Sequence, residues 1–512
     1  MGITLAQIQL ALPEGGKLVG NPETMITAPI VEDSRAVQVG GMFVARRGMT
    51  VDGHRYIDLA VERGAVAILC EVAPPQAYPL PYILVADASQ ALGWACAAYY
   101  GFPSRQMTII GVTGTDGKTT TSTLIHAILK QSTHAKAGLI STISADFGDG
   151  EMADTGLHVT SPSAPDLQYY LSKMLERGLT HVVIEMTSHG LAQGRLNGVD
   201  VDIAVMTNVT HEHLDYHGTW EAYRDAKAIL FHRLMQSERT HGQAKVAIIN
   251  GDDRSLDYFR NIPAEEQVTY GLTSTADIIA QDTHFLPDKT IFLIEDIPFE
   301  INLAGRFMVY NALAAICATR CGLRMSFETI QRGLQSVSAI SGRMQRIHSG
   351  QDFTAMVDFA HTPNALENVL IAGLDMLEPH KRLIVVFGCA GLRDRAKRRM
   401  MPQTAIRLAH ISIFTAEDPR TESLEDILQD MKMAAEAVGG VEGQHFFLIK
   451  DRGRAIFEAC QMAQAGDLVI ASGKGHEQSM CFDTIEYPWD DREAMRAALA
   501  GQPLLTLPTA FG

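Results

Sequence analysis

Short apolar runs recur along the chain, each closed by glycine or a polar cluster. They alternate with stretches whose apolar residues return at helical spacing. In the first hundred residues, AVAILC at 65–70 and YILVADA at 82–88 read as buried strands, and SQALGWACAAYYG at 89–101 reads as a helix. The Phe102-Pro103-Ser104 break then suggests a linker. A second series follows: MTIIGVTG at 107–114, HVVIEMT at 181–187, IAVMTNV at 203–209 and KVAIIN at 245–250. Runs this uniformly apolar, separated by amphipathic helices, predict a parallel sheet covered on both faces, with functional loops at the strands' carboxyl ends. Residues 268–303 are more turn-rich and predict a side sheet before a helix at 307–322. A third series predicts a second doubly wound sheet: FTAMVDFA at 353–360, RLIVVFGCA at 382–390, HISIFTAE at 410–417, HFFLI at 445–449 and DLVIASG at 467–473. The expected fold is α/β in three domains: 1–104, 105–340 around a P-loop ATPase-like sheet, and a Rossmann-like 341–512.

The strongest local chemistry lies where the second series begins. Gly114-Thr115-Asp116-Gly117-Lys118-Thr119-Thr120 follows a strand and precedes the helical pattern TSTLIHAILK. Glycines let backbone amides turn in around phosphate oxygens, and the helix N-terminus adds positive potential. Lys118 can bridge terminal phosphates and Thr119 can ligate Mg²⁺. The spacing departs from GxxxxGK[ST], because Val112 stands at the first glycine position. A purely structural glycine turn is the competing reading.

Glu185 ends the next strand, where a carboxylate can hold Mg²⁺ or merely cap a helix. The segment TNVTHEHLDYHGT at 207–219 is dense in possible ligands. Its HxH spacing raises zinc, but no thiolate accompanies it, and loop hydrogen bonding is the plainer role for His211, His213 and His217. Lys227, in the apolar turn AKAILF, reads on its own as a lysine reaching out to solvent.

The chain has 512 residues, 46% hydrophobic and 20% charged, with a net charge of -16. That balance fits a folded protein and disfavours a nucleic-acid partner, without excluding small phosphorylated ligands. Seven scattered cysteines with no CxxC predict free thiols in a reducing compartment. No signal-peptide pattern and no apolar run of the ~20 residues needed to span a membrane is evident, so a cytoplasmic location is expected.

Taken in order, GVTGTDGKTTT, EMTSHGLAQGR, TNVTHEHLDYHGT, AKAILF, GRFMVYNALAA, SGRMQRI, DFAHTPNAL, GCAGLRDRAKR, EDPRTE and GKGHEQ resemble the Mur ligases over nearly the whole chain. The resemblance implies an ATP-dependent ligase of peptidoglycan synthesis with three domains, for UDP substrate, ATP and amino acid. It implies addition of meso-diaminopimelate to UDP-N-acetylmuramoyl-L-alanyl-D-glutamate through an acyl phosphate, with lysine or ornithine as alternative diamino acids. A non-catalytic nucleotide-binding relative and a folylpolyglutamate-type ligase are the competing readings.

Residue by residue, the resemblance implies Mg²⁺ ligation by Thr119, Glu185, His213 and a carbamylated Lys227, with Lys118, His213 and Lys227 catalytic. It places Asn311, Arg343 and Asp358 at the nucleotide, with His361 adjacent. It gives Ser34, Thr160, Ser161, Thr187, Gln193 and Arg195 to the UDP-linked muramoyl dipeptide. Arg393, Glu417, Asp418, Pro419, Arg420, Gly473 and Glu477 fall to the incoming amino acid, whose distal carboxylate Arg420 can pair in a two-point geometry. This chain departs from the family pattern at Glu417-Asp418 (usually Asp-Asn), Ala390-Gly391-Leu392, Glu212 (usually Asp), Thr187 and Phe359. Most of the basic stretch 393–399 is expected to be a solvated helix face.

Overall fold

The computed structural model describes all residues except 1, 49–50, 75–79, 133–135, 142–144, 149–151, 154–160, 211, 274, 287 and 512. Three sheets organise the chain. The first has the order Lys17–Val19, Tyr82–Leu84, Ala67–Cys70, Met42–Ala45, Ile30–Val31, parallel except at the Lys17–Val19 edge. Helix Ala88–Tyr99 covers one face through Ala88, Leu92, Ala95 and Cys96.

The central sheet has nine strands. Thr108–Thr113 lies inside it, flanked by His181–Glu185 and Ile203–Met206, all parallel. The chain leaves Thr108–Thr113 in one direction and later returns to its other side. The carboxyl ends of these three strands therefore open onto the crevice at a topological switch point. Edge strands Glu266–Gly271 and Ile278–Ile279 extend this same sheet. Only Gln281–Phe285, Thr290–Ile294 and Ile297–Ile301 form a separate antiparallel sheet, so the expected side sheet is shorter than 268–303. The difference arises because Glu266–Gly271 finds a parallel partner in Val246–Asn250.

The third sheet has the order Gln345–Ile347, Thr354–Asp358, Leu468–Ser472, Leu383–Phe387, Ile411–Phe414, Phe446–Leu448, with only its first strand antiparallel. One apolar core runs from a face of the central sheet through helix Arg306–Cys317 into this third sheet. The opposite face of the central sheet is closed by helices Ala164–Glu176 and Trp220–Leu234. The 102–104 break is no loose tether. Pro103 and Ser104 are buried, and Ser104 Oγ accepts from Asp200 N at 3.1 Å.

Candidate active site

A cleft of about 1480 Å³ opens where the central strand ends meet the third sheet. Its floor is the loop after Thr108–Thr113. Gly114 and Gly117 hold φ of +152° and +82°. A Cβ on Gly117 would stand 2.2 Å from Asn311 Oδ1, so the close approach demands glycine. The helix Lys118–Lys130 starts directly behind the loop and aims its free amides at the cleft. Neighbouring strand ends hold the loop: Asp116 N donates to Asn208 Oδ1 at 3.0 Å, and Thr207 Oγ1 donates to Asp116 O at 2.7 Å.

Acids and cations converge on this floor. Thr119 Oγ1 donates to Glu185 Oε2 at 2.9 Å, and Arg343 Nη2 reaches Thr119 Oγ1 at 3.3 Å. Lys118 Nζ donates to Thr115 O at 2.7 Å. Lys227 is 1% exposed, its Nζ 2.6 Å from Gly114 O and 4.2 Å from the centre of the Tyr223 ring. Burial first, then the nearby Lys118, pushes its ammonium well below the usual lysine range, against the pull of Asp116, Glu212 and Glu185. His213 is half-buried and holds φ of +54°. Desolvation, His189, Lys227 and Lys397 all disfavour its imidazolium and favour the neutral ring.

The third sheet supplies the opposite wall. Asp358 is buried at a strand end, its oxygens accepting from Met344 N and Ala360 N, each at 2.7 Å. Arg343 lies 4.5 Å over the Phe359 ring, and its buried Nε has no partner among the described residues. Further along, Lys474 Nζ pairs with Asp418 Oδ1 at 2.9 Å and also with Glu477. Gly473, at φ +119°, lies so close to Glu417 that a Cβ there would meet Oε2 at 2.3 Å. Glu417 is buried, its Oε2 unpartnered among the described residues, and burial lifts its pKa to about 7 despite Arg452 and Lys474.

The chain matches the Mur ligase family catalytic domain over 30–100, the Mur ligase middle domain over 112–319 and the Mur ligase glutamate ligase domain over 342–475. It is 38% identical to the UDP-N-acetylmuramoyl-L-alanyl-D-glutamate–2,6-diaminopimelate ligase of Geobacillus thermodenitrificans, covering 94% of this chain and 96% of that one. The UDP-N-acetylmuramyl-tripeptide synthetase of a Roseiflexus species is 42% identical, with 94% and 95% covered. A solved structure of a UDP-N-acetylmuramoyl-L-alanyl-D-glutamate–2,6-diaminopimelate ligase superposes with a TM-score of 0.66 at 30% identity, covering 98% and 99%. This chain belongs to the Mur ligase family. The MurF ligase of Thermotoga maritima, solved with ADP, shares the fold at 20% identity and a TM-score of 0.61, covering 88% of this chain and 95% of that one.

Against this Mur ligase cleft, the residues singled out in the sequence sort clearly. Thr115, Asp116, Gly117, Lys118, Thr119, Thr120, Glu185, His213, Lys227, Asn311, Arg343, Asp358 and His361 all line it. So do Ser161, Thr187, Gln193, Arg195, Arg393, Glu417, Asp418, Arg420, Gly473 and Glu477. Ser161 and Thr187 share a hydrogen bond of 3.0 Å, and Arg195 Nη1 donates to Ser161 O at 3.2 Å. Gly114 lies beneath the lining and presents its carbonyl to Lys227. Ser34 is buried in the first unit, away from this lining. Pro419 is not part of the lining either. It sits between Asp418 and Arg420, both at positive φ, and turns the chain so that their side chains enter. Thr160 and His211 lie outside the described residues.

One reading changes. Lys227 does not reach solvent, because Gly114 O and the Tyr223 ring take its amine inward. The 393–399 stretch is solvated for the most part, as expected, with Arg393, Arg395 and Arg399 exposed, while Arg398 is buried against Glu422 and Lys397 crosses to Glu212 at 2.9 Å. Lys397, Asn364 and Tyr223 line the cleft without having been singled out, and Lys474 pairs with the lining residues Asp418 and Glu477 from behind them. Lys474 and Asn364 stand inside the GKGHEQ and DFAHTPNAL segments, the one signal that could have found them.

Proposed function

We propose that this Mur ligase couples ATP cleavage to amide formation between the D-glutamyl side-chain carboxylate of a UDP-linked muramoyl dipeptide and an amino group of meso-diaminopimelate. One observation carries the reading: Lys118, Glu185, His213 and Lys227 share a single cleft with the Arg420–Glu477 pocket. The three units, taken as 1–104, 105–340 and 341–512, then serve UDP substrate, ATP and amino acid in turn.

A free carboxylate does not condense with an amine, because the oxide it would have to lose is a poor leaving group. In the reaction, a carboxylate oxygen attacks the γ-phosphorus, ADP leaves, and the acyl phosphate is opened by the amine with loss of phosphate. Loop amides and Lys118 hold the terminal phosphates in line, and Arg343 offers its unpartnered Nε at the same end of the cleft. The residues suit Mg²⁺: Thr119 Oγ1 and the Glu185 carboxylate present adjacent hard oxygens at the phosphate loop. Bound there, Mg²⁺ neutralises charge on the transferring phosphoryl group. Lys227 suits carbamylation, since the uncharged amine is the form that adds CO₂ and burial favours that form. A carbamate there would supply an anionic oxygen donor in the cleft that His213 also lines. Arg393 stands exposed at the rim for the incoming α-carboxylate, and Arg420 stands deeper for the distal one.

No helix among the described residues is long and apolar enough to cross a membrane. The reading places the enzyme in the cytoplasm, with ATP. The test is one assay scoring product mass and ADP release with diaminopimelate, lysine and ornithine. ADP release that requires the muramoyl dipeptide, and turnover highest with diaminopimelate, is expected. ADP release indifferent to the dipeptide removes the ligase reading. Equal or better turnover with lysine or ornithine removes the diaminopimelate assignment.

A further inference from the structure

The ion pair between Lys397 and Glu212 joins a helix start and a loop 185 residues apart in sequence, one from each side of the cleft. Lys397 Nζ lies 2.9 Å from Glu212 Oε1, with the side chains 14% and 6% exposed. Three features make this pair unlike a surface salt bridge. Lys397 is the first residue of helix Lys397–Leu408, where the helix dipole disfavours a cation, so a partner must offset its placement. Glu212 Oε2 is buried with no partner among the described residues, so the carboxylate's compensation rests on Lys397. And Glu212 immediately precedes His213, whose left-handed backbone, φ +54°, needs its flanks held.

Two other contacts cross the same boundary, Asn364 to Asp116 at 2.9 Å and Arg343 to Thr119 at 3.3 Å. Both end on the phosphate loop. The Lys397 pair ends instead on the His213 loop. Glu212 takes its lysine partner from the third-sheet unit, so any movement of that unit away from the loop breaks the pair.

We propose that Lys397 is a positioning residue for phosphoryl transfer: through Glu212 it makes the placement of His213 depend on closure of the third-sheet unit. The proposal rests on the ligase reading above. Lys397 acts through the loop and not on the substrates, so its loss lowers kcat and leaves KM for ATP and muramoyl dipeptide nearly unchanged.

The experiment compares full-length wild type with Lys397→Met, Glu212→Gln, the double variant and Lys397→Arg, under saturating substrates. Each single neutral substitution is expected to lower kcat roughly 100-fold, the scale of a small misplacement at a reacting centre. The double variant falls no further than the worse single, because both cut one linkage. Lys397→Arg recovers most of the rate. Losses that multiply in the double variant, a change confined to KM, or a normal rate in Glu212→Gln overturns the proposal. Should Lys397→Met fail to fold with its uncompensated carboxylate, Glu212→Gln and the double variant carry the comparison. Wild type that does not ligate at all refutes the functional reading; active wild type with unaffected variants refutes only the role of Lys397.

Discussion

Glu417→Gln isolates the cost of a buried carboxylate in the amino-acid pocket. Glu417 is 7% exposed, with Oε2 unpartnered among the described residues and Gly473 pressed against it. Burial raises its pKa from 4.5 to about 7, even with Arg452 and Lys474 pulling the other way. Below pH 4.5 native and unfolded chains both hold the proton, and the group adds nothing to the pH dependence. As pH rises from there through 7, the unfolded chain releases a proton that the native protein keeps, so stability falls. Above 7 both forms are ionised and the native protein bears the whole desolvation cost. At roughly 1.4 kcal/mol per pH unit, the gap between the two values amounts to about 3 kcal/mol. Glutamine keeps the shape and cannot ionise. The substitution is therefore expected to be nearly neutral at acidic pH and to stabilise the third-sheet unit by up to about 3 kcal/mol at alkaline pH. For a unit of this size that is a rise of roughly 6–12 °C in Tm. Thermal and urea melting, followed by circular dichroism on either side of the 4.5-to-7 window, reads it directly. An equal difference at both ends, or a loss at the alkaline end, refutes the reasoning.

Lys227→Ala is expected to cut ligation at least about a thousandfold, some 4 kcal/mol of barrier, while circular dichroism stays native; near-normal turnover in bicarbonate buffer rejects the carbamate role. Gly117→Ala forces a Cβ to 2.2 Å from Asn311 Oδ1 at a φ of +82°. A left-handed backbone costs an ordinary residue about 1–2 kcal/mol, so ATP affinity by calorimetry should fall roughly tenfold, and unchanged affinity refutes the close fit. Asp491→Ala strands Arg452, which is fully buried, and removes the acceptor of Trp489 Nε1 at 2.8 Å. Urea melting should show a loss of about 3–5 kcal/mol in the third-sheet unit, and a loss under about 1 kcal/mol refutes the pair's structural weight.

The strands were legible because a strand covered on both faces must be apolar at every position, a pattern that needs no partner to be recognised. The phosphate loop was legible for a similar reason: its chemistry comes from consecutive backbone amides and one lysine, all within a short stretch. Lys227 shows where such reasoning stops. An apolar helical turn around a lysine is the same string whether the amine escapes to water or turns inward. What decides it is Gly114 O, 113 residues away. Lys397 fails in the same way. Spacing tells which side of a helix faces its own sheet, and the basic side was rightly assigned away from that core. It does not tell that another unit's loop will arrive on that side and cover it. Lys397 and Asn364 are thus underread for one physical reason: each finds its partner across the cleft between units. A charge that looks solvated within its own unit becomes costly once covered, unless the covering surface brings the opposite charge. Covered ionic contacts between units of a Mur ligase should therefore mark where closure and chemistry are coupled, which is the ground for testing Lys397 rather than its solvated neighbour Arg395.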